Sequence, residues 1–283
     1  MTLTATRTVD PYPTRIADAP ELIDRTEPTV WTTGMAGPID PATLAGHDSR
    51  GFSVHHDLLS PAEVDAYREE LRTLGADAGL RSDERAVHSA ADGLSTIYEA
   101  HRVSELIGEL AADPRVLDRA RQILGSEVYL HQSRVDYLPG FRGKGAYWHS
   151  DFETWHAADG MPAPRAVTMS IALTQQYPAD GGRLLMPGSH RTFVPCEVDQ
   201  PSRAHLTSLA AAYGIQQCTA GPGSVLMVDA NLMHGSSENI TPFPRADINL
   251  VFNSVDNTLL APYAGTALRP DHIANRTFEP VRR

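Results

Sequence analysis

The sequence predicts a mainly β fold with flanking helices, a β-sandwich or jelly roll braced from its N-terminal side. Two observations carry this. Helical patterns with caps occupy the chain up to Gly125, and short strand-like runs separated by turn signals follow it. The length of 283 residues with 41% hydrophobic residues suits one large domain with a real core. We divide it into an N-terminal wrap with bracing helices (1–125), a core (126–260) and a tail (261–283), with no internal repeat.

Residues 1–50 are rich in Pro, Thr and Asp and have weak periodicity, so they are expected to wrap the domain. A helix is predicted from Ser60, with Ser60 as N-cap, Pro61 in the first turn and Glu63 closing a capping box. Val64, Tyr67, Leu71 and Leu74 then share one face. Residues 76–96 are polar and read as a mobile loop. A second helix follows Asp113-Pro114, with Val116, Leu117, Ala120, Ile123 and Leu124 on one side and Gly125 as its stop. Strands are expected at 127–130, 166–173, 182–186, 224–229 and 249–253. The turn signals Pro139-Gly140, Asp180-Gly181-Gly182, Pro187-Gly188 and Gly221-Pro222-Gly223 lie between them. Residues 196–216 read as helical or irregular, a second flap.

Composition excludes several functions. A net charge of −11 and the absence of a basic run argue against nucleic-acid binding. No run of about 18 apolar residues predicts a membrane span, and the first fifteen residues carry no apolar leader segment. The two cysteines, Cys196 and Cys218, lack CxxC spacing and read as reduced thiols of a cytoplasmic protein. Asn239-Ile240-Thr241 matches a glycosylation sequon and reads as chance.

The chemistry is carried by His149-Ser150-Asp151, by His234 and by Arg245, eleven positions after His234. On a strand, residues two apart point to one face, so His149 and Asp151 can reach one ion. Two imidazoles and a carboxylate occupy one face of iron(II) and leave positions open for a co-substrate and dioxygen. Zinc could use the same ligands, but a hydrolytic zinc site needs no guanidinium. Arg245 suits the distal carboxylate of 2-oxoglutarate. His131, His156 and His190 read as packing or supporting groups.

These residues lie in stretches that resemble bacterial ectoine hydroxylases, within the phytanoyl-CoA dioxygenase-like group of iron(II)/2-oxoglutarate enzymes. The resemblance rests on YWHSDFETWHAADGMP (147–162), VDPYPTR (9–15), ARQILGSEVYLHQSR (120–134), PGFRGK (139–144), MPGSH (186–190) and HGSSENITPFPR (234–245). It implies a double-stranded β-helix (jelly roll, cupin-like) core. It implies iron(II) on His149, Asp151 and His234, 2-oxoglutarate on Arg245 with help from Ser236 and Gln132, and O2 as oxidant. It also implies hydroxylation of an aliphatic C–H in a small amino-acid-derived zwitterion, with Gln132, Thr154 and Trp155 shaping the substrate pocket.

The chain departs from that pattern. Ile-Asn-x-Lys-Pro becomes Val135-Asp136-Tyr137-Leu138-Pro139, so the lysine tied to 2-oxoglutarate becomes Leu138. A phenylalanine becomes Val228, and Asn-x-Phe becomes Asp247-Ile248-Asn249. The segment between Pro195 and Gly214 looks shortened. Asp136, Asp247 and Asn249 point to an open-chain diamino acid such as 2,4-diaminobutyrate beside ectoine, since a carboxylate pairs a localised ammonium. A proline-like amino acid is the alternative substrate, and a binding protein without activity the alternative class. Beyond small molecules, a homodimer is left open.

Overall fold

The computed structural model describes residues 10–16, 21–32, 37–89, 93–141 and 145–283. The leader reading over residues 1–9, Val9 of one motif and residues 142–144 of another lie outside the described residues.

A short strand β1 (Ile23–Asp24) precedes α1 (Pro41–Arg50), β2 (Phe52–His55) and α2 (Pro61–Ala76). Next come α3 (Ala78–Arg81), β3 (Ala86–Ser89), β4 (Gly93–Tyr98), α4 (Ala100–Val103), α5 (Glu105–Ala112) and α6 (Pro114–Leu124). β5 (Val128–Leu138) and β6 (Ala146–His149) lead to α7 (Asp151–Thr154), which runs on as a π turn over Trp155–Asp159. β7 (Ala166–Ala172), β8 (Arg183–Leu185), β9 (Thr192–Phe193), α8 (Arg203–Tyr213) and β10 (Gln216–Cys218) follow. β11 (Val225–Asp229), β12 (His234–Ser236) and β13 (Arg245–Ser254) close the order.

Both anticipated helices form where their caps dictate. Ser60 Oγ accepts from the Glu63 amide, and the Glu63 carboxylate accepts from the Ser60 amide, so two orphan donors are satisfied. Asp113 caps α6, and Gly125 ends it at φ 61. The helices bury Val64, Leu71, Ile107, Leu117 and Ile123 against one face of a seven-stranded antiparallel sheet, in the order β2-β11-β7-β13-β5-β4-β3. A four-stranded sheet, β10-β8-β12-β6, covers the other face, joined to it by Phe52, Leu185, Leu226 and Val228. The two sheets make the jelly roll.

Period-two alternation gives the large sheet two unlike faces. On β13, Ile248, Leu250 and Phe252 meet the helices, while Arg245, Asp247 and Asn249 look inward. On β5, Val135 joins the core, while Arg134 and Asp136 look inward.

The structure corrects several expectations. Residues 76–96 are no plain loop: a helical turn and the β3–β4 hairpin extend the large sheet, with residues 90–92 outside the described set. β5 and β13 are much longer than the runs at 127–130 and 249–253. The polar inward positions broke the apolar run that marks a strand in sequence. Strands β2, β3 and β4 come from the stretch assigned to wrap and helices, and α1 was not anticipated. The tail is tied down: Val281 donates its amide to Val128, and Ala274 is buried. Among the described residues, no helix is long and apolar enough to cross a membrane. Cys196 and Cys218 are free and buried.

Candidate active site

His234 on β12 pairs directly with His149 at the end of β6, so one rung of the small sheet holds both imidazoles, with ring centroids 4.3 Å apart. Asp151 joins them by a different route from the one expected. β6 stops at His149, Ser150 takes the N-cap position, and Asp151 is the first residue of α7. The turn, not a continued strand, brings its carboxylate within 3.8 Å of His149 Nε2. One ligand atom from each of the three lies within 4.8 Å of the others.

The surrounding bonds prepare these atoms to hold a cation. His149 Nδ1 lies 2.7 Å from the Tyr147 carbonyl, and His234 Nδ1 lies 2.9 Å from the Leu232 carbonyl. A carbonyl only accepts, so each Nδ1 carries the proton and each Nε2 presents a lone pair. Thr168 Oγ1 donates to Asp151 Oδ2 at 3.2 Å and leaves Oδ1 towards the imidazoles. Burial lowers the His234 pKa, with His149 adding to it, which keeps the ring neutral. Burial opposes ionisation of Asp151, but its positive surroundings, Arg134 and Arg183 among them, outweigh it and hold its pKa below the ordinary value. Two imidazole nitrogens and one carboxylate oxygen are a donor set that fits iron(II).

A cavity of about 320 Å³ opens beside this cluster, lined by His149, His234, Ser236, Arg134, Asp136, Arg183, Arg245 and Asp247 among others. Arg245 begins β13, opposite Leu138 of β5, and is buried. Its Nε donates to Asp247 Oδ2 at 2.8 Å and its Nη1 to the Gly181 carbonyl at 2.6 Å. Its Nη2 has no partner among the described residues. Ser236 Oγ accepts the Ala146 amide at 2.8 Å at the same wall.

The structure does not bring every anticipated residue to this wall. Trp155 is buried in an apolar cluster and packs edge-on to His131, with ring centroids 5.1 Å apart. Thr154 ends α7, and Val228 packs with Leu185 and Phe52 beside the Thr168 rung. Gln132 binds the Ile273 carbonyl and accepts from Arg134 Nη1, so it steadies an arginine of the wall. Asn249 bridges Asp136 and Arg183. Asp136 and Asp247 are in the wall, but neither carboxylate is free for a ligand ammonium. Asp136 accepts from Thr96, Arg134 and Asn249, and Asp247 accepts from Arg245 and Gln176. His131, His156 and His190 are buried supports, as read from sequence. Thr168, Arg134 and Arg183 escaped the sequence reading. A signal existed: polar residues at alternate positions of otherwise apolar strands.

Comparison with known proteins fits this geometry. Residues 47–246 match the family model for phytanoyl-CoA dioxygenase. The chain is 49% identical over 290 residues to the ectoine dioxygenase of Nocardia farcinica, covering 96% of each protein. The crystal structure of EctD from S. alaskensis with 2-oxoglutarate and 5-hydroxyectoine aligns with a TM-score of 0.90 at 42% identity, over 94% of this chain and 95% of that one. The same protein with bound Fe aligns with a TM-score of 0.90 at 40% identity, over 96% and 97%. With the fold, the rung of imidazoles and these matches in agreement, the chain belongs to the phytanoyl-CoA dioxygenase family.

Proposed function

We propose that this dioxygenase uses iron(II), 2-oxoglutarate and O2 to hydroxylate an aliphatic C–H of ectoine. The observation that carries this reading is the placing of His149, Asp151 and His234 at one end of a cavity and Arg245 in its wall. Relatives named ectoine dioxygenase support the choice of substrate.

Iron(II) bound with 2-oxoglutarate supplies the activation of dioxygen, so that one oxygen atom enters the substrate and the other enters succinate. His149, Asp151 and His234 hold the metal, and Thr168 fixes the carboxylate that faces it. Arg245, its Nε tied to Asp247, would offer its remaining N–H groups to the far carboxylate of 2-oxoglutarate, with Ser236 at the same wall. Gln132 acts by positioning Arg134. The inward faces of β5 and β13 fix the substrate's orientation, which is how a protein contributes when the metal does the difficult chemistry.

A second reading, an open-chain amino acid such as 2,4-diaminobutyrate, is favoured by the wall itself. Tyr137 is its only aromatic besides the imidazoles among the described residues, whereas a delocalised amidinium suits aromatic surfaces.

The test is turnover of both candidates with iron(II) and 2-oxoglutarate, scored by succinate and by a product one oxygen heavier. Asp151→Ala, assayed for bound iron, is the control, and it should lose both metal and turnover. Ectoine turned over alone supports the first reading, and the diamino acid alone the second. Failure of both, with iron bound, overturns the proposal.

A further inference from the structure

Arg245 is not the only arginine at this cavity, and it is not the one whose charge lacks an answer. Its guanidinium is paired with Asp247. Arg134 is likewise paired, with Nε 3.0 Å from Asp136 Oδ2. Those two carboxylates are the acids of the cavity wall, and both are committed.

Arg183 has no such partner. It enters from β8 and crosses between the two sheets to the inward face of β13 and β7. There its Nη2 donates to Asn249 Oδ1 at 2.8 Å and to Ser170 Oγ at 3.2 Å, both neutral acceptors. Its Nε is buried with no hydrogen-bond partner. Among the described residues no carboxylate lies within ion-pair distance of it. Burial, with Arg245 nearby, outweighs Asp247 and Asp136, which act on it only from a distance, and holds its pKa below the ordinary guanidinium value.

The register places this charge within the site. Asn249 pairs with Ser170, Asp247 with Ala172, and Val251 with Thr168, the residue that holds Asp151. The Arg183 guanidinium therefore stands between the Arg245 end of the floor and the Thr168 end, where the imidazoles are. A cation taken from water and given only neutral partners is costly to keep. A ligand carboxylate would supply a countercharge in direct contact and accept from its spare N–H groups.

We propose that Arg183 is a second carboxylate-binding residue of this site, separate from Arg245. The recognised chemistry is a carboxylate, and its two sources are 2-oxoglutarate and the amino-acid-like substrate. Naming those sources rests on the function proposed above.

The experiment compares the wild-type chain with Arg183→Gln and Arg183→Lys, each loaded with iron(II) without oxygen. Calorimetric titrations use 2-oxoglutarate, then ectoine or 2,4-diaminobutyrate at saturating 2-oxoglutarate. Thermal unfolding without ligand is measured in parallel. Arg183→Gln should lose at least about tenfold in affinity for one carboxylate, as one charge-assisted contact disappears. Its unliganded Tm should be unchanged or higher, because an unanswered charge has gone. Arg183→Lys should recover part of the affinity. Loss towards 2-oxoglutarate assigns Arg183 to the co-substrate, and loss confined to the second ligand assigns it to the substrate. Affinities equal to wild type for every carboxylate the wild type binds overturn the proposal, as does a lower Tm with affinities intact. A wild type that binds 2-oxoglutarate but neither amino acid faults the substrate reading only, and the co-substrate titration still decides this one.

Discussion

At the scale of single residues, the site is organised by which atoms are already taken. Tyr147 and Leu232 claim the Nδ1 protons, Thr168 claims one oxygen of Asp151, and Asp247 claims Arg245 Nε. What is left over points into the cavity. Replacing Arg245 by Lys keeps a positive charge beside Asp247 but removes the planar fork. We expect the fold to persist and the half-saturating 2-oxoglutarate concentration to rise about tenfold or more, since a hydrogen bond to a charged group contributes about 1.5–3 kcal/mol. Initial rates against 2-oxoglutarate check this, and an unchanged dependence removes Arg245 from the clamp. Sequence made the candidate metal ligands legible because His149, Asp151 and His234 stand in distinctive segments, as Arg245 does. It did not show that Asp136 and Asp247 are spent on arginines, because the runs read at 127–130 and 249–253 stop short of Arg134/Asp136 and Arg245/Asp247, which stand two apart on one face of a single strand.

At the scale of elements, caps and turns were the readable part. Ser60, Asp113 and Gly125 fixed α2 and α6 because each answers orphan groups at a helix end locally. Gly125 does so under tight constraint. At φ 61, an added Cβ would sit 2.9 Å from the Trp31 carbonyl oxygen. Gly125→Ala should therefore destabilise the protein by about 1–3 kcal/mol, the usual cost of a non-glycine residue in a strained left-handed position. A denaturant titration reads it directly, and a loss under about 0.5 kcal/mol, the scatter of ordinary surface changes, would contradict the constraint. The long strands β5 and β13 were only half legible. Only one end of each read as strand, and the stretches beyond carry the polar cavity residues Arg134 and Asp136, Arg245 and Asp247, which displaced the apolar pattern. The β3–β4 hairpin was missed for a related reason, since its short, mostly half-buried strands carry little apolar signal.

At the scale of the whole molecule, buried histidines outside the site link the fold to pH. His47 on α1 is fully buried, with Nδ1 3.1 Å from Ser53 Oγ and Nε2 unpartnered, and burial pushes its pKa down to about 4. Above the unfolded value near 6.5 the ring is neutral in both states and the stability is fully present. Below 6.5 the unfolded chain binds a proton that the native chain refuses, so stability falls as pH drops towards about 4. Across that window His47 alone accounts for a loss of up to about 3 kcal/mol. Denaturant midpoints at pH 7 and pH 5 should show the drop, and His47→Leu should shrink it. An equal drop in the variant would assign the acid sensitivity elsewhere.

Ser95 and Thr96, two residues of the cavity wall, stand on β4 in the outermost hairpin of the large sheet, whereas the imidazole rung belongs to the small one. The enzyme thus keeps its imidazoles and part of its cavity wall on separate foundations. A margin bordered by solvent tolerates insertion and replacement better than a rung locked between neighbours. Remodelling that rim would therefore reshape the cavity while leaving the imidazole rung in place.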